Sequence, residues 1–288
     1  MITYPIAKIN LGLNVVEKRP DGYHNLQTVF YPVPIKDALE LHQMDDGFPS
    51  DVDCDLKVTI SRHTPAFKTE CTLMNDDEGR NLVVRAYQLL KNDFPTLPRL
   101  HAHLWKGIPT QAGMGGGSSD CAYMIKMLNE YFTLGLSDDE MIGYAVRLGA
   151  DCPFFIKSTP CYAEGIGEQL KPVNLDLTGW YIGVVRPDIP VSTKEAFSLI
   201  KPHYPQKCCN EVVMQPLETW RDELSNDFEE SVFALHPEIA RVKQQLYDMG
   251  ATYAAMSGSG SALFGLFRNS PDRLGQLFPD MFTFCSLF

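Results

Sequence analysis

Apolar and polar residues alternate from Ile6 to Val15, with Ile9, Leu11, Leu13 and Val15 on one face and Lys8, Asn10, Gly12 and Asn14 on the other. A period of two is that of a strand with one buried face, so this segment predicts a strand that puts Lys8 and Asn10 on the same side. Pro20-Asp21-Gly22 predicts a turn that delivers Tyr23 and His24 to the start of a second extended segment running towards Val33. Further strands are expected over residues 38–42, 56–61 and 101–106. Between them Leu82, Val83, Ala86, Leu89 and Leu90 recur at helical spacing, predicting a helix over 81–91.

Ser137-Asp138-Asp139-Glu140 has the form of a capping box and opens a helix carrying Met141, Ile142, Ala145 and Leu148, which should stop at Gly149 with Asp151 just beyond. Strands are expected at 152–156, 161–164 and 180–185, and Ser192 with Glu195 forms a second capping box. Residues 227–250 read as helical with a break before Pro237. Strands at 253–256 and 262–267 flank Ser257-Gly258-Ser259-Gly260-Ser261, and residues 283–288 read as a core-packed terminal strand. Strands and helices come in clusters rather than in strict alternation, which predicts an α+β fold; we place the domain boundary near residue 157, separating 1–157 from 158–288.

With 288 residues and 44% hydrophobic content, the chain has enough apolar material for two modest cores. Its formal charge of −11 argues against a nucleic-acid partner, because binding a polyanion needs a basic face that displaces counterions. Eight cysteines are scattered without a Cys-x-x-Cys pair, which suggests neither a zinc site nor a disulfide framework. No basic leader or membrane-length apolar run is present, so a soluble cytoplasmic protein is expected, monomer and homodimer both being open. Asp45, Asp46, Asp51, Asp53 and Asp55, with Gly47 and Pro49, read as an exposed acidic loop.

Chemistry is concentrated in Ile108-Pro109-Thr110-Gln111-Ala112-Gly113-Met114-Gly115-Gly116-Gly117-Ser118-Ser119-Asp120. Gly113, Gly115, Gly116 and Gly117 permit positive φ and close approach to a ligand, and the packable helix that follows at once offers the free N–H groups of its first turn to an anion. This predicts a phosphate cradle. Neither a Walker A sequence nor the Rossmann glycine spacing is present, so a different nucleotide fold is implied. Phosphoryl transfer to an alcohol needs a phosphate clamp, a proton acceptor and positive charge on the reacting oxygens. The loop, Asp151 and Lys8 are candidates for these roles, although a lone strand lysine is also a common edge charge and a lone aspartate after a helix a common turn former.

These residues resemble the GHMP kinases. Pro5-Ile6-Ala7-Lys8-Ile9-Asn10-Leu11 is similar to the first family motif, Pro109–Asp120 to the second and Ser257–Ser261 to the third. The segments Lys18–Leu26, Leu148–Phe155 and Ala163–Glu168 narrow the resemblance to kinases of the non-mevalonate route to isoprenoid precursors. The resemblance implies a two-domain fold, the N-terminal domain like ribosomal protein S5 domain 2 and the C-terminal one an α/β-sandwich. It implies Mg2+ and ATP as cofactors, and as small-molecule partner a cytidine diphosphate-linked methylerythritol phosphorylated on its 2-hydroxyl. Asp151 is then the base and Lys8 its partner; Tyr23 stacks on cytosine, His24 hydrogen-bonds it and Asn10 lies by the acceptor. Asn81 and Lys106 match adenosine-side positions, and Pro109, Gly113, Gly115, Gly116, Gly117, Ser118 and Ser119 the ATP-binding loop. Thr193 matches a substrate-side threonine; Asn81 and Thr193 can equally be helix caps, and Tyr23 and His24 ordinary packing beside a turn.

The chain departs from the family pattern at Met114 for leucine, Cys121 for alanine and Cys152 for valine, small changes of volume beside the site. The metal ligands are not assignable, with Ser118 or Ser119 as candidates. Competing readings are another small-molecule kinase of the superfamily, of homoserine or mevalonate type, and a catalytically silent binding protein on the same scaffold. The intact Lys8 and Asp151 weigh against the second, and the acidic charge against an RNA-binding module.

Overall fold

The computed structural model describes residues 1–44, 55–63, 69–74 and 81–288. The expected acidic loop, apart from Asp55, lies outside the described residues. The strands, in chain order, are β1 (Ile2–Thr3), β2 (Ile6–Lys18), β3 (His24–Lys36), β4 (Ala38–Gln43), β5 (Leu56–His63), β6 (Thr69–Met74), β7 (Leu100–Lys106), β8 (Cys161–Glu164), β9 (Gln169–Pro172), β10 (Tyr181–Arg186), β11 (Tyr253–Met256), β12 (Leu263–Phe267) and β13 (Phe282–Leu287). The helices used below are α1 (Leu82–Asp93), α2 (Gly116–Tyr131), α3 (Asp138–Val146), α4 (Phe154–Lys157), α5 (Thr193–Ala196), α6 (Cys209–Val212), α7 (Trp220–Glu223), α8 (Phe228–Leu235) and α9 (Pro237–Asp248).

The chain divides into two compact units, the first holding Met1–Ala7, Ile35–Ile108 and Gly115–Ser158, the second Lys8–Pro34, Pro109–Met114 and Thr159–Phe288. The last junction is one residue from the expected boundary, but most of β2 and β3 and the front half of the glycine loop belong with the second unit.

The first unit contains a sheet in the order β1-β4-β7-β5-β6, in which β5 and β7 run parallel and β4 pairs antiparallel with β7. Helix α1 turns Val83, Val84, Ala86, Tyr87 and Leu90 inward and packs against α2, whose Ala122, Met124, Ile125 and Leu128 are buried. At α3 the Ser137 hydroxyl accepts from the Glu140 amide while the Glu140 carboxylate accepts from the Ser137 amide, so the expected capping box forms and sets where the helix begins.

The second unit carries two sheets, β2-β3-β8-β9 and β11-β12-β10-β13. Leu13 and Val15 of β2 share one core with Val185, Phe228, Val232, Ile239, Val242, Leu246, Met256 and Leu263, so α8 and α9 lie over the second sheet. Pro237 opens α9 at its first turn, where its missing N–H costs no bond, and the helical stretch breaks there as expected.

Two expectations are corrected. Residues 152–156 do not form a strand: Pro153 takes the αR conformation (φ −56°, ψ −37°) and leads into α4, because a fixed φ near that of a helix suits a first turn and buried Phe154, Phe155 and Ile156 are no less apolar in a helix than in a strand. The terminal strand β13 is an edge strand whose residues are half-buried (Phe282, Thr283, Phe284, Ser286) or exposed (Cys285, Leu287), rather than lying in the core. Among the described residues no helix is long and apolar enough to cross a membrane.

Candidate active site

Within the second unit Lys8 and Asn10, the front of the glycine loop and the third motif come together. Lys8 and Asn10 do share a face of β2, and both are buried. The Lys8 Nζ donates to Asn10 Oδ1 at 2.6 Å, Asn10 Nδ2 donates to Thr28 Oγ1 at 2.9 Å, and Thr28 donates to the Gly12 carbonyl at 2.5 Å. This relay fixes the amide of Asn10 with its oxygen towards the ammonium, and the Lys8 Nζ also lies 4.9 Å from the centre of the Phe30 ring. A buried, oriented lysine is not a solvated edge charge.

The glycine loop docks on that strand by its backbone, the Lys8 amide donating to the Met114 carbonyl at 3.0 Å. The third motif closes on the loop from the other end of the chain: Ser257 Oγ donates to the Gly113 carbonyl at 2.9 Å and the Ala262 amide to the Ala112 carbonyl at 3.3 Å. Gly113 has a φ of +73°, and a Cβ there would fall 1.8 Å from the Ser257 carbonyl oxygen, so only glycine allows the two loops to meet. A Cβ on Gly258 would lie 3.1 Å from the Gly113 oxygen and 3.4 Å from Asn10 Oδ1, which puts the third motif beside both of the others.

Tyr23 and His24 follow a turn in which Asp21 Oδ1 accepts from the Tyr23 amide at 3.1 Å, leaving the Tyr23 ring 61% exposed and available for stacking. His24 stacks on Phe197, centroids 4.6 Å apart and planes 21° apart, and Phe197 in turn packs edge-on against Phe228 at 4.7 Å. Burial and the nearby Lys18 charge lower the His24 pKa, which favours the neutral imidazole with one donor and one acceptor nitrogen. Phe197 escaped the sequence reading; the available signal was the capping box, since Ser192 and Glu195 start α5 at Thr193 and so place Phe197 at its end. Thr193 itself is exposed, at the head of that helix.

Pro109 is in the second unit with the front of the loop, and the remaining candidates lie in the first. Gly115 ends the loop at a φ of +71° and caps α2, with the Ser119 amide donating back to its carbonyl at 2.8 Å. Asn81 is the N-cap of α1, its Oδ1 accepting from the Val83 amide at 2.8 Å, so the capping alternative describes its side chain. Asp151 occupies the short turn between α3 and α4, held by the Gly149 amide donating to the Ala145 carbonyl at 3.2 Å and the Cys152 amide to the Gly149 carbonyl at 3.2 Å.

Lys106 is engaged from both sides, its ammonium donating to the carboxylates of Asp37 and Asp120. Asp37 also accepts from the Gly107 and Ile108 amides, both at 2.7 Å, and so shapes the approach to the glycine loop. Burial opposes the Lys106 charge, but the two carboxylates together lift its pKa above the ordinary value. Burial pushes Asp120 up to about 8, an effect that Lys106 offsets only partly and the second carboxylate reinforces. Without Lys106 two buried carboxylates would face each other uncompensated, so Lys106→Met should lower the unfolding free energy by about 3–5 kcal/mol in denaturant titration. A loss below about 1 kcal/mol would show that the carboxylates find other partners.

Residues 81–159 match the GHMP kinases N terminal domain and residues 212–277 the GHMP kinases C terminal domain. Fold and site thus make this chain a small-molecule kinase of the GHMP superfamily. A 4-diphosphocytidyl-2-C-methyl-D-erythritol kinase of Bacteroides fragilis is 50% identical over 267 residues, spanning 93% of this chain and 92% of the relative. One of Porphyromonas gingivalis is 43% identical over 290 residues, spanning 100% and 99%. A crystal structure of 4-(cytidine 5'-diphospho)-2C-methyl-D-erythritol kinase superposes with a TM-score of 0.79 at 28% identity, covering 99% of this chain and 98% of the other. The Methanococcus jannaschii mevalonate kinase, at a TM-score of 0.69 and 13% identity, shares the fold. The chain belongs to the 4-diphosphocytidyl-2-C-methyl-D-erythritol kinase family.

Proposed function

We propose that the protein transfers the γ-phosphoryl group of ATP to the 2-hydroxyl of 4-diphosphocytidyl-2-C-methyl-D-erythritol, in the cytoplasm. The observation that carries this reading is the convergence of Lys8, Asn10, the glycine loop and the Ser257–Gly260 loop, because a phosphate cradle needs backbone donors held rigidly beside a fixed positive charge. Gly113 to Ser119 would bind the phosphates, with Asn81, Lys106 and Pro109 on the nucleotide side. The acceptor hydroxyl attacks the γ-phosphorus, ADP leaves, and Asp151 takes the hydroxyl proton. Lys8 supplies positive charge to the reacting oxygens, and Asn10, whose amide the Thr28 hydroxyl orients, would hold the acceptor.

Mg2+ prefers hard oxygen donors. Ser119 Oγ is such an atom at the head of α2, buried without a hydrogen-bond partner among the described residues, and its hydroxyl fits the ion. The Ser119 hydroxyl, or that of Ser118 in its place, would hold it, and the bound ion supplies neutralising charge to the transferred phosphoryl group.

The cytosine would lie on Tyr23, with His24 offering its neutral ring edge and Thr193 nearby on the acceptor side. Tyr23→Ala should then raise KM for the cytidine substrate by about 5- to 150-fold, a stacking loss of about 1–3 kcal/mol, and leave KM for ATP within twofold. Equal changes in both constants would place Tyr23 outside the base pocket. The reading as a whole is tested by ADP formation from Mg-ATP with three acceptors: 4-diphosphocytidyl-2-C-methyl-D-erythritol, homoserine and mevalonate. Turnover with the first alone is expected. Turnover with another acceptor would keep the kinase and discard the cytosine pocket, and none with any would favour the silent scaffold.

A further inference from the structure

The segment Asn226-Asp227-Phe228-Glu229 is part of neither the glycine loop nor the third motif, yet its polar side chains are buried to a degree that ordinary helix starts are not: Asn226 is 3% and Glu229 9% exposed. Each makes contacts that lead to the site. Asn226 Nδ2 donates to two carbonyls at the start of the third-motif loop, Met256 O at the end of β11 and Gly258 O within the loop, both at 2.8 Å. Its own Oδ1 accepts from the Phe228 amide at 3.0 Å, which fixes the side-chain amide so that the NH2 group faces the loop. Glu229 holds the same end of β11, Oε1 accepting from the Met256 amide at 2.8 Å while Oε2 accepts from Lys243 at 2.6 Å.

The segment also grips β2. The Leu13 amide donates to Ser225 O at 2.9 Å and the Asp227 amide to Leu13 O at 2.8 Å, while the Asp227 carboxylate accepts from the Val15 amide at 2.8 Å and from Asn14 Nδ2 at 3.1 Å. One short stretch of chain therefore holds both the strand that carries Lys8 and the loop that touches Gly113.

We infer that Asn226 is a positioning residue for the nucleotide: it acts through the two carbonyls it binds, setting the Ser257–Gly260 loop against Gly113 and so the shape of the phosphate cradle. Asn226 touches neither substrate itself. The inference rests on the phosphoryl-transfer reading above. The coupling is to the nucleotide side because the Ser257 hydroxyl bonds the glycine loop directly, whereas Asn10 only abuts Gly258.

Asn226→Asp keeps size and shape but turns a carboxylate towards two carbonyl oxygens, replacing two attractions by repulsion. In the full-length enzyme it should raise KM for ATP tenfold or more, and leave KM for the cytidine substrate within twofold. Asn226→Ala, which removes the donors without adding charge, should raise it less, by about three- to tenfold, a loss of about 1 kcal/mol. A merely structural role would reduce the active fraction, lowering kcat in both variants with both KM values unchanged, and that result overturns the inference. Hydrogen exchange on the wild type covers variants that fail to fold: a non-hydrolysable ATP analogue should slow exchange at 225–229 together with 256–260, and protection at 256–260 alone would count against the clamp. If the wild type binds no ATP analogue at all, it is the phosphoryl-transfer reading that fails.

Discussion

Asp151→Asn should lower kcat by a factor on the order of 10²–10⁴ while KM for ATP and for the acceptor stays within about threefold, because the substitution preserves size and removes the negative charge and with it the capacity to take a proton. Asp151 sits in a turn whose backbone is held from both sides: the Gly149 amide bonds Ala145 O, and Cys152 bonds Gly149 at its amide and Phe155 at its carbonyl. Pro153 and the apolar start of α4 add stiffness, so the amide side chain should occupy the carboxylate's place without local rearrangement. Steady-state kinetics on both substrates separate the outcomes. A wild-type kcat would remove Asp151 from the role of base, and a parallel rise in both KM values would assign it to binding.

Gly113→Ala should have the largest effect among the loop glycines. A Cβ at that position meets Ser257 O at 1.8 Å and Ser257 C at 2.7 Å, both backbone atoms that cannot rotate away, and the φ of +73° adds strain for any L-residue. The two loops must separate, so we expect a loss of at least about 2 kcal/mol in denaturant unfolding and a KM for ATP raised tenfold or more. Gly117→Ala is the internal comparison. Nothing lies within 4 Å of a Cβ there and its position in α2 is helical, so the fold should be unchanged or slightly more stable, by up to about 1 kcal/mol. If Gly113→Ala unfolded at the wild-type denaturant midpoint with an unchanged KM, the close contact between the second and third motifs would be wrong.

Much of the site was legible because each motif is local. The alternation in β2 put Lys8 and Asn10 on one face, while the hydrogen bond between their side chains also needed Thr28 of β3 to orient the Asn10 amide. The capping boxes at Ser137 and Ser192 were legible for the same reason, since donor and acceptor are three residues apart. The stretch 152–156 was not, because a short apolar run carries no period and a proline suits either a strand edge or a first helical turn. Asn81 shows that a residue matching a binding motif can also serve a cap, and residue type alone does not rank the two.

What the sequence by itself determined, then, is most of the local elements and the family to which the motifs belong; of the four loop glycines read as free to take positive φ, Gly113 and Gly115 do so, whereas Gly116 and Gly117 lie in the first turn of α2 with ordinary helical angles. Tertiary structure alone decided the contacts between residues distant along the chain: His24 stacked on Phe197, Asp37 and Asp120 on either side of Lys106, and Asn226 beneath the third-motif loop. These pairs are separated by many residues and have no periodicity, and a buried polar side chain finds its partner only when the packing of strands and helices has brought it within hydrogen-bond distance and excluded water.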